Sequence, residues 1–291
     1  MRSIPLSVRL PVVLALLFAG VIPGRVSAQV PVNHLYDKFQ VGASGAAVVL
    51  GTTLRIDNDN GDQGTEIDFN TLGISKTAFA PAVAIAWRPG RRHEIGLSYL
   101  YIDRSGSTTL TKDVEFGDST FAAGLRINSS FSAPTVTLNY RFAIMAKEKT
   151  QLGIQVGLGA LFFKVGIDAL AGITNGGADT LDVGYSASKG LTGPTAALGL
   201  FGAFRAGDKW YFGVNGGAIG AKVSNITATS WALGADARYF FSNHWAFSGG
   251  WTYSGIKVSS DAVDDGGYLN LEGSINYNFN VFRLGVIYAL P

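Results

Sequence analysis

A strict alternation of large and small residues runs from Thr77 to Asp103 and constrains the fold more than any other stretch of the chain. The turn Pro89-Gly90-Arg91-Arg92 divides it into two halves. Large residues occupy every second position, namely Phe79, Pro81, Val83, Ile85 and Trp87 before the turn and Ile95, Leu97, Tyr99 and Tyr101 after it. Mostly Ala, Gly and Ser stand between them. Period-two alternation on both sides of a Pro-Gly turn predicts a β-hairpin.

The two faces of this hairpin differ in a way that indicates a membrane. A soluble surface normally carries roughly 25 to 35% charged residues, whereas the whole chain has 15% and the small-residue face of the hairpin carries charge only near the turn. A bilayer admits only helices and closed barrels. We therefore expect the large residues to face lipid and the small residues to line a narrow barrel interior. A soluble β-barrel or sandwich with ordinary core aromatics is the alternative.

The N-terminus has the features of a secretory signal. Arg2 and Arg9 accompany an apolar run from Leu10 to Ile22, and Val26-Ser27-Ala28 offers a small-residue cleavage site. Residues 1–28 are therefore predicted to be a signal peptide.

The remaining residues, 29–291, are predicted to form a single membrane β-barrel domain, with Gln29 to Lys38 as a soluble lead-in. Loss of Arg2, Arg9 and Arg25 with the signal would change the formal net charge from +2 to −1, so no nucleic-acid partner is expected. The chain has no cysteine, which excludes disulfides and thiol chemistry.

The alternation recurs to the C-terminus and predicts about ten strands, with eight to twelve possible. The first strand is expected at Phe39–Ile56 and the last at Tyr268–Leu290, and each changes parity in a way that predicts a bulge, near Val49-Leu50 and near Val281. Short turns alternate with long polar connections, which are expected at Asp57–Gly64, Gly106–Thr120, Ala171–Gly190 and Asp261–Gly267. The predicted fold is all-β, a closed antiparallel up-and-down transmembrane β-barrel.

On this pattern, from Phe39 to Leu290, the chain resembles the small outer-membrane β-barrel proteins of Gram-negative bacteria, the class that includes the transmembrane domain of outer-membrane protein A. The resemblance implies an integral protein of the bacterial outer membrane with both termini periplasmic and the long loops outside. It also implies contact with outer-membrane lipid and lipopolysaccharide and insertion by the barrel-assembly machinery. The predicted membrane-interface aromatics are Trp87, Trp210, Trp231 and Trp245.

Charged residues on the small-residue face predict a polar network inside the barrel. Glu94 follows one inner turn and Arg141 precedes the next, on the adjacent strand, so the two are expected to meet near the periplasmic end. The other predicted members are Arg88, Arg205, Asp236, Arg238, Glu272 and Arg283. A buried charge is costly unless it is paired. The alternative is that some of these charges reach water at the rim.

The three histidines argue against one class of enzyme. Outer-membrane enzymes with a histidine general base resemble one another in placing it toward the outer leaflet, whereas His34 lies in the lead-in and His93 and His244 at inner turns. The chain is not expected to be an enzyme. No cofactor or metal site is predicted, because the acidic loop that begins at Asp57 fails the EF-hand spacing.

The expected function is a structural or surface-interaction role with the loops exposed outside the cell. A narrow passive pore for small solutes, similar to a porin, is the alternative. Barrels of about this size have interiors close to filled, but the many Ala and Gly residues could leave a thin path. The sequence indicates no particular external ligand.

Overall fold

The computed structural model describes residues 32–56, 66–116, 119–173, 181–223, 226–260 and 273–291. Asn33–Pro291 forms one compact unit, and within the described ranges it is almost entirely β-strand. A single turn of 3-10 helix, His34–Tyr36, precedes the strands. In these ranges no helix has the length and apolarity needed to span a bilayer.

Fifteen strands follow one another along the described chain. They are β1 (Phe39–Ile56), β2 (Ile67–Asp68), β3 (Thr77–Gly90), β4 (His93–Leu100), β5 (Asp103–Thr109), β6 (Val114–Phe116), β7 (Ser119–Phe121), β8 (Arg126–Ser132), β9 (Thr135–Ala146), β10 (Thr150–Ile173), β11 (Leu181–Ala206), β12 (Trp210–Val223), β13 (Ile226–Phe240), β14 (Trp245–Ser260) and β15 (Gly273–Leu290).

Ten of these strands form a closed antiparallel barrel, which confirms the predicted fold class. β1, β3, β4 and β9 to β15 pair in that order, and the barrel closes where β15 pairs with β1. The other strands are additions to the barrel: β2 pairs with β1, β8 and β5 extend the sheet from β10, and β6 pairs with β7.

Four short connections lie at one end of the barrel, which we name the turn end. These connections are residues 91–92, 147–149, 207–209 and 241–244. The predicted alternation of short and long connections is wrong at β12 and β13, because β12 ends at Val223 and β13 begins at Ile226, at the opposite end. Phe39 pairs with Leu290 there, so the first and last barrel strands begin and end at the same side. We name the opposite end the loop end.

The two predicted bulges are wrong. β1 and β15 pair without a register shift along the full length of both strands. The apolar residues that interrupt the outward pattern, such as Val48, Leu50 and Tyr277, are at most 2% exposed and face the interior. No bulge near Val49-Leu50 or Val281 is needed, because the interior at this level is itself apolar. Register shifts do occur where β3 meets β4 and where β9 meets β10.

Two of the predicted polar connections contain strands. Gly106–Thr120 includes the end of β5, all of β6 and the start of β7, and Ala171–Gly190 includes the end of β10 and the first part of β11. β10 and β11 stay paired with each other through this region, which satisfies their backbone groups whatever the side chains are. Several predicted segments lie outside the described residues: the signal peptide 1–28, the loops Asp57–Gly64 and Asp261–Gly267, and residues 268–272 of the last strand.

The large residues of the alternating strands face outward, as predicted. Val83 and Leu138 are 49% and 47% exposed on the outer surface. Ala84, the neighbour of Val83, lines the interior. The barrel therefore presents an apolar outer face of the kind that lipid requires.

The predicted interface aromatics lie near the two ends of this apolar face. Trp87, Trp210 and Trp245 stand at the turn end of their strands. Trp231 lies farther toward the loop end, with its ring centroid 4.6 Å from that of Tyr253 in an edge-to-face contact. Their contact with the membrane interface stays a prediction.

Candidate functional site in the barrel interior

The segment that precedes β1 occupies the interior at the turn end. Asn33 begins a helical turn, since its side-chain oxygen accepts a hydrogen bond from the Leu35 amide at 3.2 Å. Leu35 is 2% exposed and packs with side chains from four strands, Tyr211, Phe240, Ala246 and Ala289. We name residues 33–37 the plug. The prediction of a soluble lead-in is wrong here, because one leucine among polar residues gives no periodic signal.

Hydrogen bonds hold the plug in place. His34 Nδ1 lies 3.0 Å from the Asp37 carboxylate, and both side chains are buried. The Gln151 side-chain amide donates to the Leu35 carbonyl oxygen at 3.1 Å. The Asp37 carbonyl oxygen accepts a hydrogen bond from Arg88 Nη1 at 3.1 Å, which connects the plug to the interior charges.

Glu94 lies between two arginines of neighbouring strands. It stands opposite Arg141 in the register of β4 and β9, and Arg141 Nη1 is 3.1 Å from Glu94 Oε1. Its other carboxylate oxygen contacts Arg88 Nη2 from β3. The side chains of Glu94 and Arg88 are 17% and 11% exposed, and that of Arg141 is 35% exposed. The Glu94–Arg141 contact that the sequence predicts is therefore present near the turn end.

A second group of predicted network residues lies on the far wall. Arg238 Nε is 3.3 Å from Asp236 Oδ2 on the same strand, β13. Arg238 Nη1 also donates to Gln40 Oε1 at 3.3 Å. Arg283 of β15 donates to the Thr252 hydroxyl at 3.1 Å. We call Arg88, Glu94, Arg141, Asp236, Arg238 and Arg283 the polar network.

Two other predicted members do not join the polar network. Arg205 Nη2 is 2.6 Å from the carboxylate of Asp208, which is 71% exposed in the adjoining turn. The Arg205 side chain itself is 9% exposed, so it pairs locally with the turn and does not reach water as the alternative expects. Glu272 lies outside the described residues.

A cavity of about 450 Å³ lies in the interior above the plug. Its floor is formed by His34 and Leu35, and all six residues of the polar network line it. Small residues of the inward faces form much of the wall, among them Gly42, Ser44, Ala82, Ala84, Ser98, Thr137 and Gly250. The cavity exists because these side chains are too short to meet across the barrel.

An apolar core fills the interior beyond the cavity, toward the loop end. Its side chains come from the barrel wall, from β8, from residues that flank β5, and from the segment between β2 and β3. Members that are at most 6% exposed include Val48, Leu50, Phe69, Leu72, Ile74, Ile102, Ile127, Phe131, Leu161, Phe163, Val165, Ile167, Ile275, Tyr277 and Val281. The sequence pattern did not predict this core. The signal that could have predicted it is the set of apolar residues at the inward-facing positions of β1 and β15.

Arg104 of β5 is embedded in this apolar core. It is 7% exposed, and its guanidinium carbon lies 4.4 Å from the centroid of the Phe131 ring. Its Nη1 donates to the Ser75 carbonyl oxygen at 2.8 Å, whereas Nε and Nη2 have no hydrogen-bond partner among the described residues. Burial lowers the pKa of Arg104 from its ordinary value. The aromatic contact compensates part of the cost of burying this charge.

The three histidines all lie at the turn end. His34 belongs to the plug, His93 Nδ1 is 2.7 Å from the Tyr140 hydroxyl, and His244 Nδ1 is 2.9 Å from the Ala289 carbonyl oxygen. In the part of the chain that the structure describes, no three His, Asp or Glu side chains are grouped so that they could hold a metal ion.

Comparison with known proteins identifies the fold. No protein-family model matches the chain, and no curated protein matches it. The outer membrane protease OmpT from Escherichia coli is similar in structure, with a TM-score of 0.57 and 10% identity, over 88% of this chain and 97% of that chain. Ail from Yersinia pestis has a TM-score of 0.30 at 12% identity, over 86% of this chain and 99% of that chain. A FadL homologue from Pseudomonas aeruginosa has a TM-score of 0.32 at 10% identity, over 88% of this chain and 91% of that chain.

The fold is therefore that of the outer-membrane β-barrel class. At 10% identity the likeness to OmpT extends to the fold alone. The role of this chain has to be argued from its own interior and surfaces.

Proposed function

We propose that the protein is an integral outer-membrane barrel with a closed interior, whose loop end is exposed outside the cell in a structural or surface-interaction role. The turn end and both termini then lie in the periplasm. The observation that carries the proposal is the occupation of the described interior at both ends, by the plug and by the apolar core.

A solute that crossed the barrel would have to displace both groups. Leu35 of the plug is 2% exposed, and burial of one leucine side chain contributes about 1.5–3 kcal/mol. The apolar core is held more strongly, since the Phe69 and Phe163 rings both contact the Phe131 ring. Both contacts are edge-to-face, with a centroid distance of 4.8 Å in each. A continuous water path is therefore unfavourable in this conformation.

The loop end supports the surface role because its strands extend far beyond a bilayer. β10 has 24 residues and β11 has 26, whereas a membrane strand needs about 9–11. β8 pairs with the outer part of β10, and β5 pairs with β8. A paired β-extension of this kind offers a structured surface outside the membrane.

Single cysteines test the orientation cleanly, because the chain contains none of its own. Ser107 is exposed on β5 at the loop end, and Lys209 is exposed in a turn at the turn end. A membrane-impermeant maleimide should label Ser107→Cys on intact cells and Lys209→Cys only after the outer membrane is broken. The reverse pattern would contradict the proposed orientation.

Conductance in planar bilayers separates the closed barrel from the narrow pore. The cavity inside the barrel is the observation that favours a pore for small solutes. A closed barrel should give no stepwise current above that of a detergent blank. Reproducible single-channel steps from the purified full chain would instead support the pore and exclude the closed interior.

A further inference from the structure

We infer that the interior cavity binds a small organic anion that carries an apolar body. This inference goes beyond the closed structural barrel, and it follows from the charges, the open donors and the apolar wall of the cavity.

The charges that line the cavity are unbalanced. The cations are four arginines and the anions are two carboxylates, namely Arg88, Arg141, Arg238 and Arg283 against Glu94 and Asp236. Glu94 is shared between two of the arginines, and Asp236 lies nearest to a third, Arg238. An anionic occupant would reduce this positive excess.

Arg283 is the cation best placed to receive that occupant. It is exposed within the barrel and lines the cavity. Its observed hydrogen bond goes to the neutral hydroxyl of Thr252. Among the described residues it forms no ion pair within 4.0 Å. A guanidinium presents several donors in one plane, which suits a carboxylate or a phosphate.

The wall next to Arg283 changes from polar to apolar along two paired strands. The inward residues of β15 toward the loop end are Val281 and Phe279, which stand opposite Thr252 and Ser254 of β14. Arg283 and Phe279 are four positions apart on β15, which corresponds to about 13 Å at roughly 3.3 Å per residue. The Ser254 hydroxyl is buried, lines the cavity and has no hydrogen-bond partner among the described residues.

The dimensions of the cavity suit such a ligand. Its volume of about 450 Å³ falls in the range of roughly 300–1,000 Å³ that is usual for small-molecule sites. The anionic group would lie at Arg283 and the apolar body would reach Phe279, where the apolar core begins.

Two matched probes test the site. The purified full chain in detergent micelles is equilibrated with 4-fluorophenylacetate or with the neutral 4-fluorophenylacetamide, and binding is followed by fluorine NMR. The carboxylate should bind saturably and about tenfold or more tightly than the amide, because a hydrogen bond to a charged group is the stronger one. Arg283→Gln should remove this preference and leave amide binding unchanged.

The control variant is Arg126→Gln, which removes an exposed arginine of β8 outside the cavity and should keep the preference. Arg283→Lys keeps the charge, so it should retain a preference for the carboxylate even if Arg283→Gln fails to fold. Equal affinity for the two probes would overturn the inference. It would also be overturned by an unchanged preference in Arg283→Gln, by absence of saturable binding, or by inorganic phosphate competing as well as the aromatic carboxylate.

Discussion

Replacement of Glu94 by glutamine tests whether the interior charges stabilise the barrel. The substitution preserves the shape of the side chain and removes the negative charge that lies between Arg88 and Arg141. Two guanidinium groups on neighbouring sides of the site then face a neutral amide. We expect the free energy of unfolding to fall.

The size of the effect follows from the exposure of the two arginines. Loss of one partner of a buried ion pair costs about 3–5 kcal/mol. Arg88 is 11% exposed, but it keeps its hydrogen bond to the Asp37 carbonyl oxygen. Arg141 is 35% exposed and keeps its hydrogen bond to Gln155 Oε1, at 3.3 Å from Nε. Its contribution to the loss of unfolding free energy is therefore small. The expected loss is therefore about 3 kcal/mol, at the low end of the range for buried pairs.

Urea unfolding in lipid vesicles, followed by tryptophan fluorescence, measures this change. The control is Glu148→Gln, which removes an exposed carboxylate at a turn and should change the free energy by less than about 0.5 kcal/mol. A double replacement of Arg88 and Glu94 by methionine should recover most of the loss, because an apolar pair leaves no buried charge unpaired. Equal unfolding free energies for the wild type and Glu94→Gln would refute the reasoning.

The lipid face, the plug and the apolar core each give a further expected outcome. Leu138→Arg on the outer face should lower the unfolding free energy by about 2–4 kcal/mol, whereas the inward Ala84→Ser should be mild; reversed severities would mean that the faces are assigned backwards. Leu35→Ala should cost about 2–5 kcal/mol in the same assay and produce no channel activity, since the apolar core remains; a current would show that the plug alone closes the barrel. Arg104→Met should change stability by less than about 1 kcal/mol, because loss of the hydrogen bond to the Ser75 carbonyl oxygen is offset by removal of a buried charge whose Nε and Nη2 have no partner among the described residues; a large loss measured in urea would contradict this.

The outer face could be predicted from the sequence because lipid imposes the same requirement along the whole wall. Residues such as Val83 and Leu138 have to be apolar wherever the wall meets the bilayer. No single polarity is required of the interior, which is polar near Glu94 and apolar near Phe131. Leu50 and Tyr277 therefore read as outward residues with a shifted parity, although they face the apolar core.

The Glu94–Arg141 contact was predictable because short turns fix the register of its two strands. Glu94 and Arg141 can be counted from neighbouring turns, and the structure pairs them directly. The position of Arg205 can be derived from a turn in the same way, yet its side chain pairs with Asp208 of the adjoining turn and not with the residues of the interior. The plug had no counterpart in the pattern, since Leu35 finds its place through contacts with residues more than 170 positions away, such as Tyr211.

The pairing of β1 with β15 also has a consequence for the order in which the barrel can fold. β1 precedes the other barrel strands in the chain and β15 follows them, so their pairing joins the two barrel strands that are farthest apart in sequence. Bringing two strands so far apart in sequence together reduces the conformational entropy of the chain between them. No contact offsets this loss until the strands meet, so closure of the barrel is slow. Local hairpins such as β3–β4 can form early, but Leu35 packs against β12 to β15 and has no wall to meet until they are in place. We therefore expect the plug to reach its position only after β12 to β15 have formed, and we expect a chain interrupted before β15 to keep its hairpins while remaining open along one side.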